Sequence, residues 1–129
     1  MSALANTARS RALANAAMIS VPRAHWRINE EGQPERAFIE GQWQPVPPSD
    51  SARMRVLSES AGEVWVGGEK SEVFRSFDNG TSWRLVSLPE KNGTAHTIAH
   101  IRFDSAHEVT IEATDGTTWT TTDGGESWR

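Results

Sequence analysis

The sequence predicts an all-β chain, an array of about three repeats with four short strands in each, and three observations lead there. The first is a pair of octapeptides, Ser76-Phe77-Asp78-Asn79-Gly80-Thr81-Ser82-Trp83 and Thr121-Thr122-Asp123-Gly124-Gly125-Glu126-Ser127-Trp128. In each, a carboxylate stands two residues before a glycine. It can accept backbone N–H bonds across a tight turn while the glycine takes the positive φ such a turn demands. The second is an internal repeat: sliding Met54–Arg84 onto Ala99–Arg129, a shift of 45 without a gap, gives 9 identities in 31, Ser60/Ser105, Ala61/Ala106, Glu63/Glu108 and Val64/Val109 among them. A weaker copy lies upstream at a shift of 39 to 40, where Trp26 meets Trp65, Arg36 meets Arg75, Phe38 meets Phe77, Gly41 meets Gly80 and Trp43 meets Trp83. The third is the texture between the octapeptides, short runs of alternating apolar and polar residues separated by turn signals. A period near 40 to 45 residues made of short strands is the mark of propeller blades or a related β array.

Taken in order, residues 1–24 read as an N-terminal helical or linker segment, rich in Ala and Asn, with Arg9, Arg11 and Arg23 and no acid. They lack the continuous apolar stretch of a secretory signal. Residues 25–129 form the repeat domain. Its first repeat has Met18–Val21 as a leading strand, then His25–Asn29, a turn at Glu30–Gln33, Glu35–Ile39 and Trp43–Val46, after which the prolines 45, 47 and 48 end regular pairing. The second has Arg53–Ser58, Glu63–Gly67, Glu72–Phe77 and Trp83–Leu88. The third has Thr97–Phe103, Glu108–Ala113 and Thr117–Thr122, with Asp115-Gly116 expected as a two-residue hairpin turn. Three repeats fall short of the four to eight blades that usually close a propeller. The array is therefore expected to be incomplete alone, with open edges that invite self-association.

The octapeptides resemble the Asp-box, or BNR, repeat of sialidase-like and sortilin-like propellers. The run Val64-Trp65-Val66-Gly67-Gly68 followed by Phe74-Arg75 and the first octapeptide is most similar to the photosystem II assembly and stability factor family; related modules end bacterial anti-sigma-factor-like proteins. The resemblance spans residues 25–129. It implies a β-propeller-like fold in which Ser76, Asp78, Gly80 and Trp83, with Thr121, Asp123, Gly125 and Trp128, are structural box residues.

Composition narrows the function. The 129 residues contain no cysteine, so disulfides, thiolate zinc sites and cysteine nucleophiles are excluded together. No run approaches the roughly 20 apolar residues of a membrane span. Residues 1–29 carry four arginines and no acid, whereas residues 30–129 carry 17 acids against nine bases, a net charge of −8 that argues against nucleic acid as partner. A sialidase of the resembling fold needs a tyrosine nucleophile, and the chain has none. Glu108, Glu112, Asp104 and Asp115 offer carboxylates, but their hairpin spacing gives no reason to set any two across a cleft as glycoside hydrolysis needs. His96, His100 and His107 read as packing or surface residues, and no metal or cofactor is expected. The six tryptophans recur at repeat positions and read as packing between blades.

The expected function is therefore non-catalytic: a protein-interaction or scaffold module, as it stands or as the C-terminal part of a larger sensor or anti-sigma-like protein. The alternative is a glycan- or peptide-binding sialidase-like propeller without hydrolase activity. In Asp-box propellers the strand two before the box hairpin lies innermost, and by that resemblance Arg53, Arg55, His100 and Arg102, with Arg75 beside the box, are the candidate contacts for an acidic partner.

Overall fold

The computed structural model describes residues 23–50, 53–60 and 62–129. The N-terminal segment up to residue 22, including the strand expected at Met18–Val21, lies outside the described residues. Ten strands are seen among the rest: β1 His25–Ile28, β2 Pro34–Ala37, β3 Gln44–Pro45, β4 Met54–Ser60, β5 Glu63–Gly68, β6 Val73–Ser76, β7 Arg84–Leu85, β8 Ile98–Phe103, β9 Val109–Ala113 and β10 Thr118–Thr121. All pairing is antiparallel, in three sheets ordered β1-β2-β3, β4-β5-β6-β7 and β8-β9-β10. Each sheet is one repeat, and the chain meanders outward through it before crossing to the next.

Four strands per blade were expected, and among the described residues only the middle blade has them. By the repeat alignment Trp26 on β1 matches Trp65 on β5, so the first blade shows its second, third and fourth strands. The third blade shows its first three and the start of a fourth, where Thr120 and Arg129 exchange both backbone hydrogen bonds at 3.0 and 2.9 Å. The outer strands are also shorter than the expected Trp43–Val46 and Trp83–Leu88. Pro45 has no N–H to donate, and regular pairing of β7 with β6 covers only Phe74↔Leu85 and Arg75↔Arg84.

The apolar core lies in the two seams between blades. In the first seam Met54, Val64 and Val66 meet Trp26, Ile28, Leu57, Phe74 and Trp83. The second is larger: Trp65, Val73 and Val86 from the middle blade pack on Ile98, Ile101, Val109, Ile111 and Trp119 from the third. Strand alternation explains this. The middle blade has neighbours on both sides, so β5 is buried at five successive positions, Val64 to Gly68, whereas β9, with one face uncovered among the described residues, alternates buried and open.

Register departs from the gapless repeat at one place. Gly68 and Ala113 are 45 residues apart, but their partners Met54 and Ile98 are 44 apart. The turn between β8 and β9 is one residue longer than that between β4 and β5. A bulge recurs at equivalent sites on the first strand of both blades, at Arg55 and Ala99. The Asp115-Gly116 hairpin is a three-residue loop and not the expected two-residue turn. Gly116 N–H bonds Ala113 O at 3.0 Å, Gly116 takes a φ of +91°, and Ala113 N–H closes on Thr117 O at 2.8 Å. This is a tight turn followed by a left-handed glycine, the second most common way to close a hairpin.

Candidate functional site

The two Asp-boxes sit in the turns after β6 and β10 and have one geometry. In the first, the Ser76 hydroxyl donates to Asp78 Oδ1 at 2.8 Å and accepts the N–H groups of Gly80 at 2.8 Å and Asp78 at 3.3 Å. Asp78 in turn accepts Ser82 N–H at 2.9 Å and Ser82 Oγ–H at 2.6 Å. The second repeats this with Thr121 in place of Ser76: its hydroxyl donates to Asp123 at 2.6 Å and accepts Gly125 N–H at 2.9 Å. Asp123 then takes the N–H groups of Glu126 and Ser127 at 3.1 and 2.9 Å and the Ser127 hydroxyl at 2.5 Å. Every bond to these carboxylates favours the ionised form. Asp78 is held down to about 2, chiefly by the Ser82 hydroxyl and then by the Ser82 amide. Asp123 is driven well below the ordinary carboxylate range, first by the Ser127 hydroxyl and then by Thr121.

Each box is also a docking plug for the blade before it. At its crest two successive residues are left-handed, Asn79 (φ +59°) with Gly80 (+85°), and Gly124 (+73°) with Gly125 (+98°). The carbonyl exposed there accepts an arginine from the preceding blade: Arg36 Nη1 donates to Asn79 O and Arg75 Nη1 to Gly124 O, both at 2.5 Å. Beside each arginine its cross-strand partner, Trp26 or Trp65, lies against the box glycine. A Cβ on Gly80 would come within 2.7 Å of Trp26 and one on Gly125 within 3.2 Å of Trp65, so only glycine lets the indole seat fully. The box tryptophans close the joint edge-on, Trp83 on Trp26 at 6.0 Å and 77° and Trp128 on Trp65 at 6.2 Å and 66°. Arginine and tryptophan on the third and second strands of one blade thus grip the box of the next. The alignment of Arg36 with Arg75 and of Trp26 with Trp65 carries this signal, but nothing in spacing alone says that the grip crosses between blades.

The basic candidates fall in three places. Arg75 is in the seam just described. Arg53 reaches back to the first blade and donates to the carbonyls of Glu31 and Glu30 at 3.2 and 3.0 Å, while Arg55, thrown outward by its bulge, pairs with Glu69 at 3.2 Å. His100 and Arg102 lie on the open face of β8, opposite Glu112 and Thr110, and with Thr118 they line a recess of about 460 Å³. Arg102 pairs with Asp104 at 2.8 Å on the surface. Because of the register change, the counterparts of His100 and Arg102 on β4 are Val56 and Ser58, not the arginines. A wider recess of about 870 Å³ borders the first blade, where Trp26 and Trp43 stand with His25, Glu40 and Glu59. The Trp43 ring carries the Arg27 guanidinium at 4.1 Å, and Arg27 is itself bonded to Glu35 at 2.7 Å.

His96 and His100 do not converge: His96 is buried and bonded to Asp115, while His100 is exposed. Among the described residues no group of three or more His, Asp or Glu is placed to hold a metal ion, and no helix is long and apolar enough to cross a membrane.

No family model matches the chain. Among curated proteins, it is 27% identical over 84 residues to a probable oligoxyloglucan-reducing end-specific xyloglucanase of Neosartorya fischeri, covering 62% of this chain and 10% of that protein. It is 34% identical over 74 residues to vacuolar protein sorting/targeting protein 10 of Emericella nidulans, covering 55% of this chain and 5% of that one. Among solved structures it is similar to YCF48 from Cyanidioschyzon merolae, with a TM-score of 0.69, 22% identity, and 84% of this chain on 35% of that one. It is also similar to YCF48 bound to D1 peptide, with a TM-score of 0.67, 19% identity, and 84% of this chain on 36% of that one. The chain thus has the fold of a β-propeller module resembling YCF48, and spans about a third of those structures and a tenth or less of the curated relatives.

Proposed function

We propose that this chain is a non-catalytic protein-interaction module built from Asp-box repeats, acting as a scaffold or as the C-terminal part of a larger sensor or anti-sigma-like protein. The observation that carries this reading is how the box groups are used. Both box carboxylates are consumed by their own turns, and both repeat arginines by the seams, so the repeated residues hold the fold together and leave recognition to the faces they position. That one structure of similar fold is a complex with a peptide supports the same reading. The contact is assigned first to His100 and Arg102 on the open side of β8. The Arg102–Asp104 pair there is exposed, with side chains 68% and 36% accessible, so a carboxylate-bearing partner exchanges with Asp104 at little cost. Arg53 and Arg55 contribute through the same basic character at the neighbouring surface, whereas Arg75, also a candidate by sequence, is committed to the seam. The net acidic body disfavours nucleic acid, and the open sheet edges favour association of copies.

A second reading, glycan binding without hydrolysis, draws on the match to the xyloglucanase and on Trp26 and Trp43 beside the wide recess, where a sugar ring would stack. Parallel screening of the chain on a peptide array and a glycan array separates the two. Binding to acidic peptides that weakens with salt and with Arg102→Gln supports the interaction module. Glycan binding abolished by Trp43→Ala, with no peptide captured, would replace it with the second reading.

A further inference from the structure

The connector that carries the chain from β7 to β8 is held at its far end by one buried imidazole. His96 is 4% exposed, and both of its ring nitrogens face oxygen acceptors. Nδ1 lies 2.8 Å from Asp115 Oδ2 in the β9–β10 loop, and Nε2 lies 2.8 Å from the Lys91 carbonyl in the connector itself. A neutral imidazole has a single N–H and would turn a lone pair on one of these oxygens; only the imidazolium donates to both. Around it the connector wraps the Trp119 ring. The His96 ring meets Trp119 edge-on at 5.4 Å, Trp119 Nε1–H donates to Pro89 O at 2.8 Å, and Lys91 Nζ sits 5.7 Å over the indole while donating to Thr118 O. Behind the ring the backbone is fixed to the β5–β6 turn, His96 N–H to Ser71 Oγ at 2.8 Å and Ser71 N–H to His96 O at 2.6 Å. The bond to Lys91 O is therefore the part that can release without breaking the rest, and beneath it lies a recess of about 270 Å³.

We propose that residues 88–96 form a proton-operated clasp: protonated His96 pins the connector over Trp119, and loss of that proton frees the Lys91 end and opens the recess between the middle and third blades. The charged groups facing His96 are Asp115 from the β9–β10 loop, Lys91 and Glu90 from the connector and Lys70 from the β5–β6 turn. Asp115 favours the imidazolium and the two lysines oppose it, Lys70 from an exposed position and Lys91 with its ammonium turned onto the Trp119 ring and the Thr118 carbonyl. The Lys91 carbonyl, and less strongly Asp115, raise the affinity of His96 for its proton against the opposing effect of burial. A group raised in this way stabilises the closed form fully below the ordinary histidine value and stops doing so as pH rises through its folded value.

Hydrogen exchange of the full chain, corrected for the intrinsic pH dependence of exchange, reads this directly. Protection across residues 88–97 should fall about tenfold or more between pH 5.5 and 8.5 while β5 and β9 keep theirs. His96→Gln, neutral throughout, should show weak protection there at both pH values. Asp115→Asn, at an exposed loop position where folding is retained, should move the midpoint to lower pH. Equal protection of the connector at both pH values in the wild-type chain overturns the clasp. So does the same pH dependence in the Asp115→Asn chain, which serves as the deciding comparison if His96→Gln does not fold.

Discussion

The Arg75 guanidinium donates to the carbonyl of Gly124, 49 residues further along the chain, in the same way that Arg36 donates to Asn79 O, 43 residues away. Two separate seams are thus closed by one device: an arginine on the third strand of a blade, flanked by a cross-strand tryptophan, seated on the left-handed crest of the next blade's box. Arg75 lies over Trp65 and Phe77 at 5.4 and 5.1 Å, so its planar group stacks as well as donates.

Replacing Arg75 with Met removes the charge-assisted bond and keeps the stem. The loss expected is about 1.5–3 kcal/mol, toward the lower value because the side chain is half-buried. Arg75→Lys should recover only part, since an ammonium cannot both stack on the rings and reach the carbonyl in the fork geometry. Urea unfolding of the three chains measures this. Equal midpoints for Met and wild type would show that the guanidinium does not brace the seam.

Trp65 is fully buried at the centre of the larger seam, whereas Trp83 is partly open. Trp65→Ala should cost about 3–5 kcal/mol by leaving a cavity that Val73, Ile101 and Trp128 cannot fill. Trp83→Ala should cost less, although it also removes the Nε1–H bond to Val46 O at 2.8 Å that ties the middle blade to the first. Melting temperatures in the reverse order would contradict the assignment of the core to this seam.

Gly80 and Gly116 share a positive φ, +85° and +91°, but not their surroundings. A Cβ at Gly116 meets nothing within 4 Å, while one at Gly80 meets Trp26 at 2.7 Å and Val46 at 2.9 Å. Gly116→Ala should therefore cost only the backbone strain, about 1 kcal/mol. Gly80→Ala adds a steric clash and should cost about 2 kcal/mol more. Thermal unfolding of both variants checks the difference, and equal costs would mean that Trp26 does not seat on the box.

Acid should loosen the boxes before the seams. Asp78 is held down to about 2 from an ordinary 3.8. Its stabilisation is therefore complete above the ordinary value and disappears as pH falls through the folded one. The carboxylate is exposed, so solvent screening reduces its net worth to about 1 kcal/mol. Asp123, lowered further by the same kind of bonds, moves in the same direction. Stability measured from pH 5 to 2 should decline less steeply in Asp78→Asn than in the wild type. Parallel curves would remove Asp78 from the acid response.

Recognition of the fold was available to the sequence because its signals are local. A Ser or Thr two residues before an Asp, with a Gly two and a Trp five residues after it, is a turn that makes its own hydrogen bonds, and its recurrence at a fixed period needs no knowledge of what lies across a seam. The strand positions followed from alternation for the same reason, with their ends one to three residues off wherever outer-strand pairing stops early. What lay beyond sequence was set by contacts at a distance. One added residue in the β8–β9 turn shifts β8 by one place against the repeat, so His100 and Arg102 stand level with Val56 and Ser58 and not with Arg55 and Leu57, the residues a gapless shift of 45 would pair with them. His96 reads as an unremarkable loop residue until the fold sets it between Asp115, 19 residues later, and the carbonyl of Lys91. The Arg75–Gly124 bond likewise exists only once two blades lie side by side. Local hydrogen bonding determined the boxes and the strands, while the packing of blade on blade, a property of the whole array, decided which of the same residues became latches, clasps or open surface.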